Sequence, residues 1–237
     1  MPGNAPAEGK PWLAQAIREC GEPLVELPGS LGRWDPHPYA CLGAPYPSGS
    51  NPFFLRLAVV QRLLRARSLL LGSATGLDLI IFDAWRPLAV QTFMVNRTIR
   101  QELARLPAAQ RGDPHQLALV RQRVNDFWAE PSADPATPPP HSTGAAVDLT
   151  LQGRAGPLDM GSPIDAMGEC SHPFHFADAT DPGLRRAHAS RLLLRSCMAR
   201  AGFTPHPLEW WHFSYGDQLW SWSSGAGGAR YGRLERS

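Results

Sequence analysis

Apolar residues recur at helical spacing in four stretches of the chain, each bounded by residues typical of helix ends. Asn51 and Pro52 resemble an N-cap and a first-turn proline, and the apolar spacing that follows continues to Gly72. The other three stretches open at a proline, and Gly202 follows the last as a C-cap. We predict helices over residues 51–72, 87–106, 113–127 and 181–201.

Three shorter segments have the apolar and alternating patterns of β-strands. They cover residues 77–82, 145–151 and 208–215. Most of the predicted helices precede most of the strands, which favours an α+β fold with a small antiparallel sheet flanked by helices.

The remaining segments are rich in residues that break regular structure. Residues 1–11 are expected to form a loose tail, and residues 28–52 a long wrapping loop. Five prolines between Pro131 and Pro140 predict an extended lead into His141. We expect a tail and first helix over 1–27, one main domain over 28–220 and a C-terminal tail over 221–237.

Composition describes an ordinary globular protein and excludes several classes. Among 237 residues, 43% are hydrophobic and 19% charged, and the formal net charge is +2. Lys10 is the only lysine among 23 basic residues, so the many arginines reflect a general preference for arginine and not a nucleic-acid binding surface. We therefore expect no nucleic-acid partner. No apolar run reaches membrane-spanning length and no signal peptide is recognised, so no membrane association and a cytoplasmic location are expected.

The four cysteines are scattered, without the paired spacing of a zinc ribbon or a thioredoxin motif. They are Cys20, Cys41, Cys170 and Cys197. We expect free thiols.

Two distant segments contain the residue types of a catalytic zinc site. They are HSTGAAVD, residues 141–148, and EWWH, residues 209–212. A hydrolytic zinc takes three protein ligands and leaves a fourth position to water. His141 and Asp148 would face opposite sides of one strand, so Gly144 must allow a turn between them. Glu209 and His212 likewise require a bend or bulge at the tryptophans between them.

Polar and aromatic residues in and around these segments also have structural interpretations. Asp148 is also explained as a turn cap and Arg86 as the partner of Asp83, while Trp210 and Trp211 suit core packing. The remaining histidines are interpreted as core or surface residues. They are His37, His115, His172, His175, His188 and His206.

Four motifs in order resemble the zinc D-alanyl-D-alanine dipeptidases across roughly residues 30–215. They are DAWRP (83–87), HSTGAAVDLTL (141–151), MGSPID (160–165) and LEWWHF (208–213). That family, which includes the type associated with vancomycin resistance, shares an α+β fold with D-alanyl-D-alanine carboxypeptidases and the Hedgehog signalling domain.

The resemblance implies a role for each matching residue. His141, Asp148 and His212 would bind one Zn²⁺ per chain, and Glu209 would be the general base and then the acid. Arg86 would face the scissile carbonyl. Asp165 would receive the free amine of a small dipeptide substrate, because an ammonium in a closed pocket must be paired.

The chain departs from the family pattern at two positions. Pro139 stands where a serine usually helps to bind the substrate amine, and Trp85 stands in place of a tyrosine, so substrate specificity stays open.

Two other functions are weighed as alternatives. One is a D,D-carboxypeptidase or peptidoglycan endopeptidase of the same fold. The other is a noncatalytic zinc-stabilised binding module. The sequence leaves the physiological role and the oligomeric state open, a homo-oligomer included.

Overall fold

The structure is a computed structural model that describes residues 10–47, 51–73 and 75–235. Its helices are α1 (Pro38–Cys41), α2 (Leu57–Leu71), α3 (Leu88–Arg105), α4 (Pro114–Phe127), α5 (Pro182–Arg200) and α6 (Gln218–Ser224). Its strands are β1 (Leu24–Glu26), β2 (Gly32–Arg33), β3 (Phe54–Arg56), β4 (Asp78–Asp83), β5 (Ala146–Gly153), β6 (Gly156–Pro157), β7 (Thr204–Pro205) and β8 (His212–Ser214).

Within this part of the chain, six strands form the main sheet. The order is β2-β4-β5-β8-β7, with β6 paired to β5, and every pair is antiparallel except β2 with β4. A separate antiparallel pair joins β1 to β3. The prediction of an α+β fold with a small sheet flanked by helices is therefore confirmed.

Strand β5 lies at the centre of the sheet, and its first six residues are all buried. Helices α2 and α5 pack against each other and against the sheet. Their apolar faces join β5 in the main core, as the helical spacing of α2 predicts. Helices α3 and α4 form a second, smaller core with Tyr39 and Trp128.

The predicted start of the first long helix is wrong. Residues 54–56 form β3, and α2 begins only at Leu57. Apolar residues in this segment pair with β1 before the helix starts, so pairing with a distant strand overrides the local helix signal. The last predicted strand is also shorter than expected, because residues 208–211 bend and only 212–214 pair in the sheet.

Segments near both ends of the described chain pack against the rest of the protein. A 3-10 helix covers Pro11–Ala14, so the expectation of a loose tail is wrong at its last residues, and residues 1–9 lie outside the described residues. Ile17 bridges Ala229, and Tyr231 is fully buried in the main core. The domain limits at residues 28 and 220 stay predictions.

No helix in the described ranges is both long and apolar enough to span a bilayer.

Candidate metal and active site

The sheet places three polar side chains in one row. Asp83 on β4 lies across from Asp148 on β5, and Asp148 lies across from His212 on β8. Directly opposed residues on neighbouring strands project to the same face of a sheet. A bulge between Ile81 and Asp83 sets this register, because without it the preceding residue would oppose Asp148.

His141 enters the row from a 3-10 helix, Pro140–Thr143, that precedes β5. Gly144 ends this helix in the left-handed region, with φ 71° and ψ 16°. The turn brings His141 and Asp148 to the same point, as predicted for Gly144. An added Cβ there would overlap the end of the Leu24 side chain, so a larger residue would have to displace Leu24 as well as adopt an unfavourable φ.

The donor atoms of His141, Asp148 and His212 converge. His141 Nε2 lies 3.2 Å from His212 Nδ1 and 3.2 Å from Asp148 Oδ2, and His212 Nδ1 lies 3.0 Å from Asp148 Oδ1. All three residues are buried. Ligand atoms on a tetrahedral zinc are roughly 3.3 Å apart, as bond lengths of about 2.0–2.1 Å require. The three side chains therefore fit a zinc ion.

Hydrogen bonds on the far side of each imidazole fix the orientation of the rings. His141 Nδ1 lies 2.7 Å from the Ala84 carbonyl, which only accepts, so Nδ1 carries the proton. His212 Nε2 lies 3.2 Å from Ser214 Oγ, where it can donate. When His212 carries its proton on Nε2, its Nδ1 turns a lone pair to the same point as Nε2 of His141 and the Asp148 carboxylate, which is the form in which imidazole binds a divalent metal.

Asp148 is held ionised in this cluster. Burial raises its pKa, but the charges and hydrogen bonds of His141 and His212 bring the pKa well below its usual range. An ionised carboxylate between two imidazoles is a suitable ligand for a divalent metal.

Glu209 lies beside the cluster, and the predicted bend at Trp210 and Trp211 separates it from His212. Its Oε2 is 3.8 Å from His212 Nδ1 and its side chain is buried. Burial and the charge of Asp148 raise the pKa of Glu209 to about 8, while Lys10 opposes the shift. A carboxyl with a pKa near neutrality can both take up and release a proton.

Arg86 is the centre of a buried polar network. Its Nε and Nη2 donate to Asp83 Oδ2 at 2.9 and 2.7 Å, and Nη1 donates to Gln91 Oε1 at 2.8 Å. Nη2 also lies 3.4 Å from Asp148 Oδ2 and 3.3 Å from the Tyr39 hydroxyl. Arg86 does pair with Asp83, and this pairing holds its guanidinium beside the candidate metal ligands.

Asp165 lies next to the same network. The Tyr39 hydroxyl lies 3.0 and 2.9 Å from its two carboxylate oxygens. Of the residues that the structure describes, Asp165 is the one non-glycine with positive φ, 65°. Strained backbone of this kind concentrates at functional sites. Burial and the charge of Asp148 raise the pKa of Asp165 to about 7.

A cavity of about 370 Å³ connects these side chains. Its walls contain all six predicted site residues: Arg86, His141, Asp148, Asp165, Glu209 and His212. Sequence reasoning missed Lys10, Gln91 and His206 in the same walls, and Tyr39 behind Asp165. Lys10 is conspicuous in the sequence as the only lysine, but the sequence does not indicate that it lies in the cavity.

The family model described as D-ala-D-ala dipeptidase, Peptidase_M15, matches residues 35–224. The chain belongs to this family. The match covers every residue of the cluster as well as Glu209, Arg86 and Asp165, whereas Lys10 lies outside it.

This chain is similar to relatives named D-alanyl-D-alanine dipeptidase. The protein from Synechocystis sp. is 43% identical over 223 residues, which cover 90% of each chain. The protein from Escherichia coli K12 is 32% identical over 149 residues, 62% of this chain and 60% of the relative. A solved structure titled "VanYB in complex with D-Alanine-D-Alanine" superposes with a TM-score of 0.43 at 15% identity, covering 78% of this chain and 89% of VanYB.

Proposed function

We propose that the chain is a zinc metallopeptidase that hydrolyses D-alanyl-D-alanine or a similar D-containing dipeptide. The observation that carries the proposal is the convergence of His141 Nε2, His212 Nδ1 and the Asp148 carboxylate, with Glu209 at their side. Family membership and the names of the relatives support the substrate class.

His141, Asp148 and His212 would hold one Zn²⁺ per chain. Convergence of the three donor atoms within 4.8 Å supports this ligand set. A bound zinc supplies Lewis-acid chemistry that activates water and polarises a carbonyl.

Two side chains of the cavity would carry the proton and the charge of the reaction. Glu209 takes a proton from the attacking water and then gives it to the nitrogen of the leaving D-amino acid. Arg86, held by Asp83 and Gln91, stabilises the negative charge that develops on the carbonyl oxygen. The hydrogen bonds of Arg86 fix its guanidinium before substrate arrives, which lowers the cost of organising it during the reaction.

Asp165 would receive the free amino group of the dipeptide. Its carboxylate has only the Tyr39 hydroxyl as a hydrogen-bonding partner among the described residues. An ammonium would complete the charge balance there, and a substrate without a free amine would leave Asp165 unpaired.

A substrate panel with zinc-loaded protein tests the proposal. D-Ala-D-Ala should be cleaved, and L-Ala-L-Ala, N-acetyl-D-Ala-D-Ala and a pentapeptide stem should be poor substrates. Equal cleavage of the blocked dipeptide and the stem would favour the D,D-carboxypeptidase or endopeptidase alternative. No cleavage of any member, with zinc bound, would favour the noncatalytic module, although such a module needs neither Glu209 nor Arg86.

We propose a cytoplasmic location. The four cysteines form no disulfide, and Cys20 and Cys41 are exposed, which suits a reducing compartment.

A further inference from the structure

Lys10 is a cationic residue of the cavity that the family resemblance does not include. Its Nζ donates to the Trp128 carbonyl at 3.2 Å, and no other hydrogen-bonding partner of Nζ lies among residues 10–47, 51–73 and 75–235. An ammonium has three donors, so two of them are uncommitted.

The wall that carries Lys10 is fixed to the rest of the protein. Gln218 Nε2 on α6 lies 2.9 and 2.8 Å from the carbonyls of Leu13 and Gln15. The Trp12 ring packs edge-on against His206, with centroids 5.8 Å apart. Lys10 is therefore presented to the cavity by an anchored segment.

Lys10 lies close to the reacting groups. Its charge opposes the rise in the pKa of Glu209 and adds to the effect of burial in lowering the pKa of His206, and both residues line the same cavity. Burial lowers the pKa of Lys10 itself, and the carboxylates of Glu209, Asp126 and Glu130 oppose that shift. A partly desolvated ammonium with few direct partners is a favourable site for an anion.

The other guanidinium or ammonium group in the described cavity wall, Arg86, has most of its donors engaged by the protein. Nε, Nη1 and Nη2 of Arg86 all contact acceptors on the protein, as described above. A guanidinium has five N–H donors, and one hydrogen on Nη1 is left, which the proposed mechanism uses for the carbonyl oxygen. A terminal carboxylate therefore finds its free cationic partner in Lys10.

We infer that Lys10 receives the terminal carboxylate of the substrate and makes the protein selective for dipeptides with a free C-terminus. The inference rests on the proposed function and deepens it. Asp165 would pair with the amine of the dipeptide and Lys10 with its carboxylate, so each charged terminus would bind a side chain of opposite charge. Two extended residues span at most about 7 Å, which a 370 Å³ cavity accommodates.

The inference is tested with Lys10→Met, which keeps the apolar stem but removes the charge. Its kinetics are compared on D-Ala-D-Ala and on the C-terminal carboxamide of the same dipeptide. Loss of one charge-assisted hydrogen bond should raise KM for the free acid roughly ten- to a hundredfold with little change in kcat. The preference of the unmodified enzyme for the acid over the amide should fall towards unity. Lys10→Arg should restore most of it, and Arg65→Met, on the exposed face of α2 outside the cavity, should leave it intact.

An unchanged acid-to-amide preference in Lys10→Met would overturn the inference. An equal loss on both substrates through kcat would also overturn it, because Lys10 would then act through Glu209. Zinc content and thermal midpoint of each variant show whether the fold is retained.

Calorimetric binding of D-Ala-D-Ala to zinc-loaded Glu209→Gln, with and without Lys10→Met, separates this inference from the proposed function. Weaker binding in the double variant supports Lys10 even if the unmodified chain does not turn the dipeptide over. Equal binding overturns the role of Lys10 alone, and no binding to either variant overturns both proposals.

Discussion

Asp83 and Asp148 are cross-strand neighbours that share one cation, Arg86. The Nη2 of Arg86 lies 2.7 Å from Asp83 Oδ2 and 3.4 Å from Asp148 Oδ2. Asp83 is fully buried, and although burial raises its pKa, Arg86 and His37 lower it below the usual value. The arrangement makes Asp83 the residue that positions Arg86 beside a candidate metal ligand.

Replacing Asp83 should therefore destabilise the fold. Asp83→Asn leaves a buried guanidinium without its main partner, and breaking a buried pair in this way costs about 3 kcal/mol or more. Urea unfolding of the zinc-loaded protein measures the loss. Asp78→Asn is the matched control, because the Arg67–Asp78 pair is partly exposed and should contribute less than about 1 kcal/mol. Similar losses in the two variants would contradict this role of Asp83.

Arg86→Ala should reduce turnover without releasing the metal. An oxyanion donor contributes about 3 to 4 kcal/mol, so kcat for D-Ala-D-Ala should fall roughly 100- to 1,000-fold. Steady-state kinetics and zinc analysis on the same sample measure both properties. Near-normal kcat would remove Arg86 from the mechanism.

Binding of the dipeptide should depend on pH through Asp165. Since the pKa of Asp165 is raised to about 7, its carboxyl is protonated and uncharged in acid, and it gains the charge that pairs with the amine as pH rises through 7. Calorimetry with zinc-loaded Glu209→Gln, which removes the titration of Glu209, should show tighter binding at pH 7.5 than at pH 5.5, by roughly tenfold. Asp165→Asn should remove the dependence, and an unchanged pH profile in that variant would assign the amine to another group.

Gly144→Ala should disturb the turn that brings His141 to the site. Positive φ is unfavourable for alanine, and the added Cβ would overlap Leu24, so the free energy of unfolding should fall by about 2 to 4 kcal/mol. Gly76→Ala is the control, because Gly76 has φ 69° with open space around its Cα. Denaturant unfolding should show only the smaller strain cost, about 1 kcal/mol, in the control. Equal costs would show that Leu24 yields and that packing does not require glycine at position 144.

The sequence predicts which six residues meet in the cavity better than it predicts the residues around them. The two motifs carry their own geometric requirements, a turn at Gly144 and a bend before His212, and both are present. The bulge at Asp83 depends on pairing with β5, about 65 residues away in sequence, and no local pattern indicates it.

The missed residues share this long-range origin. Lys10 reaches the cavity because Gln218, more than 200 residues away, anchors the segment that follows it. Tyr39 meets Asp165 across 126 positions. Contacts of this kind follow from tertiary packing, so composition and periodicity do not indicate them.

Stepwise addition of Zn²⁺ to metal-free protein, with D-alanine release from D-Ala-D-Ala measured at each step, determines whether His141, Asp148 and His212 hold a catalytic zinc. Activity should rise in proportion to zinc and level off at one equivalent per chain. His212→Ala should neither bind the equivalent nor gain activity, whereas His206→Ala, whose ring centroid lies 5.4 Å from that of His212, should still bind it. Full activity in the metal-free protein, or an unchanged zinc titration in His212→Ala, would show that these residues do not hold a catalytic zinc.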